Sequence, residues 1–437
     1  MEFNSLCEKY KKFIFHKYEI INQENSVTIK YFFEIEGLST FTPTWVIPFS
    51  FEIDNTVKKL VFSLGMIELL SYWKIACPKQ VIVNAGFVND IAWWKKLYFN
   101  GLGEFFYLNK ISTDIESFMD IQCFGKDISI VNNDTLAGML IPVGGGKDSI
   151  VSMELLGAKG NSAFMINKRD CSVKTAQLAG FDDIICLKRT LDNNMLELNK
   201  QGFLNGHTPF SAIVAFSAVL TAYIKNKKYV VLSNEDSANE PTVLNSNINH
   251  QYSKSFEFEQ DFNQYLEKNI NCGVKYLSFL RPISELQIAG IFAKHKKYLP
   301  YFRSCNKGSK TDSWCGNCPK CLFVAIILLP FLSIEEINSV FGSDIFNNKS
   351  LENTLMQIVG LSAEKPFECV GSINEATVAL NIALQKNDRL PYLLQVYKNN
   401  KTDLSVNNQY KDYYNKNNFL TKEMEDILKS AIKGIFL

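Results

Sequence analysis

Three consecutive glycines between a strand pattern and a helix pattern constrain this chain more than any other feature. Residues 138–143 (GMLIPV) form a short apolar run that suits a buried strand. Gly144, Gly145 and Gly146 follow, and a helical pattern starts near Asp148. Glycines let backbone N–H groups turn toward a ligand and let a phosphate approach closely. The helix N-terminus behind them adds positive potential. In this loop Ser149 can donate to a phosphate oxygen, Lys147 can offset its charge, and Asp148 can hold Mg²⁺ directly or through water. The loop is not a Walker A motif, because Asp148 stands where Ser or Thr must follow Lys, and it is not a dinucleotide fingerprint.

The pattern then repeats. Residues 162–167, 183–188 and 229–234 are further strand candidates, with helical patterns between them. Such alternation implies an α/β fold with a doubly wound parallel sheet and a ligand site at the carboxyl ends of its strands. We assign residues 136–335 to this unit. Residues 1–135 read as a mixed α/β region, with a β-rich segment at 26–37, a helix at 57–76 stopped by Cys77-Pro78, and a short strand at VIVNAG. Residues 336–437 read as mostly helical, with a turn at Lys365-Pro366-Phe367.

Of 437 residues, 46% are apolar and 21% charged, enough for an ordinary core. Basic and acidic residues number 46 and 45, so the basic excess of a broad nucleic-acid surface is missing. The N-terminus lacks a signal peptide's apolar stretch. The most apolar run, 322–332, is about half a membrane span and contains Pro330. It reads as a buried helix. These features predict a cytoplasmic protein with no membrane or nucleic-acid partner; oligomeric state leaves no trace in them.

Eleven cysteines without a secretion signal suggest thiols or metal ligands rather than disulfides. Cys305, Cys315, Cys318 and Cys321 lie in one short span, and four thiolates suit a closed, structural tetrahedral Zn²⁺ site. A ferredoxin-like iron–sulfur cluster uses similar Cys-x-x-Cys runs and is the alternative. The other seven cysteines are scattered and read as small core residues.

Acid–base candidates fall in three loops. His207 lies in Gly206-His207-Thr208-Pro209 before an apolar helix, with Thr208 as a plausible N-cap and Pro209 at its first position. A histidine there favours the neutral imidazole and suits a proton acceptor; a surface or capping role is the alternative. Glu235 and Glu240 follow the strand at 229–234, where polar groups meet substrate or Mg²⁺ or simply a solvated loop. His250 and Lys254 occupy the donor-rich segment 249–257, which could equally start an amphipathic helix. Arg281, Glu285 and Arg303 suit anion binding and internal ion pairing equally well.

Gly145 to Ser149 resemble the PP-loop of the ATP pyrophosphatases, Ser-Gly-Gly-x-Asp-Ser, with Gly144 replacing the first Ser. The resemblance implies an adenine nucleotide α-hydrolase-like core. Longer blocks resemble one family, the UDP-N-acetyl-α-D-muramoyl-L-alanyl-L-glutamate epimerases. They are PVGGGKDS (142–149), GHTP (206–209), LSNEDSANE (232–240), NHQYSKSFEFE (249–259), LRPISELQIA (280–289), FRSCN (302–306) and WCGNCPKCLF (314–323). SYWKIACP (71–78), GLGEFFYLN (101–109) and KPFECVG (365–371) extend it over nearly the whole chain.

The resemblance implies inversion of the terminal L-glutamate of UDP-MurNAc-L-Ala-L-Glu, a peptidoglycan precursor, with ATP and Mg²⁺ consumed to AMP and pyrophosphate. The chemistry gives ATP a reason. Deprotonating Cα beside a free carboxylate creates an adjacent dianion. Adenylating that carboxylate removes its charge and improves the electron sink. His207 and His250 are then the expected proton-transfer pair, with Glu235, Glu240 and Lys254 in reserve. Other readings are an adenylating PP-loop enzyme similar to 7-cyano-7-deazaguanine synthase, an iron–sulfur tRNA-modifying enzyme, and a zinc-stabilised nucleotide-binding protein without catalysis.

Overall fold

A computed structural model describes residues 2–86, 90–125, 135–240, 249–362, 364–401, 410 and 412–436. Its strands are β1 (Lys12–Gln23), β2 (Ser26–Ile35), β3 (Ser39–Phe41), β4 (Thr44–Ile47), β5 (Gln80–Val83), β6 (Asp120–Cys123), β7 (Met139–Pro142), β8 (Ser162–Ile166), β9 (Ile184–Thr190), β10 (Tyr229–Leu232) and β11 (Lys275–Ser278). They form one mixed, mostly parallel sheet in the order β11-β10-β7-β8-β9-β4-β2-β1-β5-β6, with β3 on β2.

The half from β7 to β11 is entirely parallel. From β7 the chain moves outward to β8 and β9, then returns to the other side of β7 for β10 and β11. That reversal between β7 and β10 opens a crevice beyond their carboxyl ends, the usual place for a ligand in such sheets. Four of these five strands were legible from apolar runs. The fifth, β11, was not: KYLS is short and gives little pattern.

The N-terminal half shares the same sheet. β4 runs antiparallel to β9, pairing Thr44 with Thr190 and Val46 with Lys188. Behind this seam the fully buried Glu68 accepts from Arg189 at 2.7 Å and from Trp45 Nε1 at 3.2 Å. Breaking such a buried pair from one side leaves an uncompensated charge, at a cost of about 3–5 kcal/mol. β2 alternates strictly, burying Val27, Ile29, Tyr31, Phe33 and Ile35. Its partner β1 escaped the sequence reading because Lys, His and Glu interrupt its apolar positions.

Period-two alternation divides the parallel strands between two cores. Leu140, Phe164, Ile185, Val230 and Tyr276 join the core containing the N-terminal region. Ile141, Met165, Val231 and Leu277 join the other, with the C-terminal helices. The helices that matter for the site are α1 (Lys147–Leu156), α2 (Phe210–Ile224), α3 (Glu285–Ala293), α4 (Pro319–Leu328) and α5 (Ile373–Lys386). The apolar run read as a buried helix is α4, buried throughout from Lys320 to Leu328. Residues beyond 336 are mostly helical, as expected. Among the described residues, no helix is long and apolar enough to cross a membrane.

Candidate active site

The glycine loop leaves β7 and ends at Gly146, the N-cap of α1, which has no side-chain cap. Gly145 has φ +82°, and a Cβ there would stand 2.6 Å from Cys171 Sγ. Its carbonyl accepts from Arg303 N–H at 2.8 Å, which fixes the turn. Only glycine fits that position without strain. Gly144 differs: a Cβ there would meet nothing within 4 Å. The Ser that a PP-loop carries at this position would therefore fit. Beside the loop lies a cavity of about 220 Å³ at the ends of β7 and β8. Val143, Phe164, Met165 and Val214 give it apolar walls, and Asn167 and Arg169 its polar edge.

Ser149 lies in the first turn of α1, and its hydroxyl donates to Gly146 O at 3.1 Å. The Lys147 side chain is buried and paired with Asp148 and with Glu285 at the start of α3. Burial pushes the Glu285 carboxyl up, opposed by the Lys147 ammonium.

A second cluster joins distant segments. Glu104, on the short helix Gly103–Leu108, receives two histidines on one carboxylate oxygen. His207 Nδ1 lies 3.3 Å from Oε2, and His250 Nδ1 is hydrogen-bonded to the same atom. The two rings are 4.6 Å apart, tilted by 53°. Burial, reinforced by the charge of His250, holds His207 down at about 4, so it is neutral. Burial alone would also lower His250, but its hydrogen bonds to Cys369 and Glu104 carry it to about 9. The sequence-expected pair is thus brought together, with the two rings in opposite charge states.

Thr208 does not cap α2, contrary to expectation. Pro209 is the N-cap, and the Thr208 hydroxyl accepts from Lys74 Nζ at 2.9 Å. Lys74 also donates to Gly206 O and so anchors the His207 loop. Burial lowers the Lys74 ammonium to about 8.

Lys254 Nζ lies 3.1 Å from Cys369 Sγ. Burial would raise this thiol, but Lys254, the hydrogen bond to His250 and Lys320 bring it down to about 6. Lys320 also donates to the Cys369 carbonyl. The Lys254 charge acts on Asp148 and Glu235 as well, which couples this cluster to the glycine loop.

Glu235 is buried, and its carbonyl accepts from Arg281 at 2.8 Å. Glu240 pairs with Lys365 at 3.1 Å, beside a separate polar cavity of about 410 Å³ that Asp236 and Glu375 also line. Arg281 is spent inside the fold, 3.1 Å from the buried Glu259. Glu104, Cys369 and Lys74 were missed as site residues. Their signal lay in the blocks GLGEFFYLN, KPFECVG and SYWKIACP, which carry no motif of their own. Cys77, Cys171 and Cys272 are buried as expected of core cysteines; Cys369 is only partly buried and has charged neighbours.

Cys305, Cys315, Cys318 and Cys321 converge, with all four sulfurs within 4.8 Å of one another. The separations 305–318 and 315–321 are both 3.8 Å, and 318–321 is 3.5 Å. A tetrahedron with metal–sulfur bonds of about 2.3 Å has edges of about 3.8 Å. The four thiolates could therefore share one metal ion such as zinc.

A parallel α/β sheet with a glycine loop and a histidine–carboxylate cluster at its crevice suits an enzyme that moves protons on an anionic substrate. Comparison with known proteins narrows the class to isomerases. Residues 4–279 match the MurL N-terminal domain and residues 301–410 the MurL C-terminal domain. Three relatives are each named UDP-N-acetyl-alpha-D-muramoyl-L-alanyl-L-glutamate epimerase. The Salinispora tropica protein is 34% identical over 79% of this chain and 79% of its own length. The Micromonospora protein is 32% identical over 80% and 82%. The Xanthomonas oryzae pv. oryzae protein is 31% identical over 75% and 75%. No solved structure gives a significant match. The chain belongs to this epimerase family.

Proposed function

We propose that the protein inverts the terminal L-glutamate of UDP-MurNAc-L-Ala-L-Glu in a reaction driven by ATP and Mg²⁺, releasing AMP and pyrophosphate. Family membership over most of the chain carries the reading. The site supports it from the residues upward. A PP-loop-like core would place phosphates on the N–H groups of Gly144–Gly146 and the start of α1, beside Lys147, Asp148 and Ser149. The adenine would occupy the small apolar cavity beyond β7 and β8. Asp148 would hold Mg²⁺ on exchanging its contact with Lys147.

The α-proton of a free glutamate is a poor acid because its removal builds charge beside a carboxylate. Each pKa unit gained by activating that carboxylate is about 1.4 kcal/mol. His207, neutral, and His250, charged, then offer a proton acceptor and a proton donor at once, with Glu104 orienting both rings. Lys254 lies alongside to balance negative charge, with Glu235 and Glu240 as the reserve acid–base groups. We assign the four cysteines to structural Zn²⁺: an iron–sulfur cluster spreads its ligands over several metal atoms, farther apart than these sulfurs stand. We keep the division into residues 1–135, 136–335 and 336–437, and a cytoplasmic location where such nucleotide-linked precursors are made.

The test is incubation with ATP, Mg²⁺ and UDP-MurNAc-L-Ala-L-Glu in D₂O. D-glutamate carrying one Cα deuterium, with AMP formed and nothing without ATP, is the expected result. AMP without inversion would leave adenylation and point to another reaction. Neither product from folded, metal-loaded protein would defeat the reading.

A further inference from the structure

Cys369 has the surroundings of a reacting group rather than of a packing residue. Its Sγ receives Lys254 Nζ at 3.1 Å. It is also hydrogen-bonded to His250, whose Nδ1 in turn meets Glu104. A nucleophile or base, a histidine and an orienting carboxylate in series is the arrangement by which enzymes activate a thiol. Lys320 approaches from α4 and donates to the carbonyl of the same residue. The charged groups acting on the sulfur are thus Lys254, His250 and Lys320, with Glu368 adjacent in sequence. Three cationic groups favour the thiolate, and the cysteine remains partly accessible. Lys254 also reaches electrostatically to Asp148 of the glycine loop, where the nucleotide would sit.

Taking the epimerase reading as its basis, we infer that Cys369 is a further catalytic residue whose thiolate removes the Cα proton of the activated glutamyl group. The Cα–H bond breaks and an S–H bond forms. The electron pair of the broken bond passes into the activated carbonyl, making an enolate-like carbanion beside the Lys254 ammonium. A protonated, solvent-exchanging acid on the other face returns a proton to the carbon and completes the inversion. His250 then releases its own proton to solvent and takes up the thiol proton, which restores the thiolate beside a charged imidazole. No oxidant or reductant is required. His250 and Glu104 serve this step by holding the thiolate.

The experiment compares wild type, Cys369→Ala and Cys369→Ser in the D₂O assay, starting from each epimer. Pyrophosphate release is followed in parallel. The expected result is that Cys369→Ala loses Cα exchange from at least one epimer by about 100-fold or more, while pyrophosphate release falls less than about 10-fold. Exchange within threefold of wild type would overturn the inference and leave the epimerase reading standing. Failure of wild type itself would strike that reading instead. Equal loss of both signals in Cys369→Ala, or an acyl adduct on Cys369 in acid-quenched wild type, would also overturn it, the latter by making the sulfur a nucleophile. A second readout is independent of turnover. Iodoacetamide should alkylate Cys369 with a midpoint near pH 6, rising by at least about one unit in Lys254→Met. A wild-type midpoint at or above about 8.5, the free-thiol value, would count against the thiolate.

Discussion

Cys318 and Cys369 are both cysteines with close polar neighbours, and those neighbours separate their roles. Around Cys318 stand Cys305 and Cys321, with the backbone N–H of Cys321 at 3.5 Å. Around Cys369 stand an ammonium and an imidazole. Thiolates gathered with no cationic side chain among them repel one another, and a metal ion resolves this. A single thiolate among fixed cations is already balanced and stays reactive. Cys171 marks a third use of sulfur: it packs against the Gly145 turn, and burial raises its thiol to about 11.

The widest separation should come from paired substitutions. Cys318→Ala should lose the bound metal and lower Tm by about 10 °C or more, because metal binding and folding are coupled. Cys369→Ala should retain the metal and shift Tm by less than about 3 °C. Elemental analysis and calorimetry measure both; equal losses would erase the distinction. Next in size, Glu104→Gln removes the shared acceptor of His207 and His250. It should cost roughly 100-fold in epimerisation.

The pH profile sharpens the same point. Below about 6 the Cys369 thiolate takes a proton, and above about 9 His250 loses one. The rate should therefore be bell-shaped between those limits, and Glu104→Gln should bring the alkaline limb down. A profile flat across both limits would separate catalysis from this cluster.

Smaller effects test the packing cysteine. Gly145→Ala meets Cys171 Sγ and forces a left-handed backbone on alanine, a strain of about 1–3 kcal/mol. Chemical denaturation would show it, with weaker ATP binding alongside. Gly144→Ser has open space and should change stability by no more than about 0.5 kcal/mol.

Strands such as β7 and β8 were legible because burial on both faces leaves short apolar runs, with glycines close by in the turns. The cysteine cluster was legible because its ligands are close in sequence. The seam of β4 on β9 was not, since nothing local tells residues 44–47 that residues 188–190 will be their neighbours. Glu104 and Cys369 were hidden for the same reason. Each takes its role from His250, a residue far away in the chain, and an isolated Glu or Cys carries no local pattern.

That seam also limits how the molecule can breathe. A hinge between the N-terminal and parallel halves would have to break main-chain bonds between β4 and β9, each worth about 1 kcal/mol, and expose Glu68 to its own unpaired charge. The sheet is in effect one stiff beam that joins the N-terminal region, which contributes Glu104, to the strand that leads into the glycine loop. Entry of a bulky nucleotide-linked substrate must then be accommodated by the loops and helices around the crevice, while the beam holds the glycine loop and the histidine–carboxylate cluster at a fixed separation.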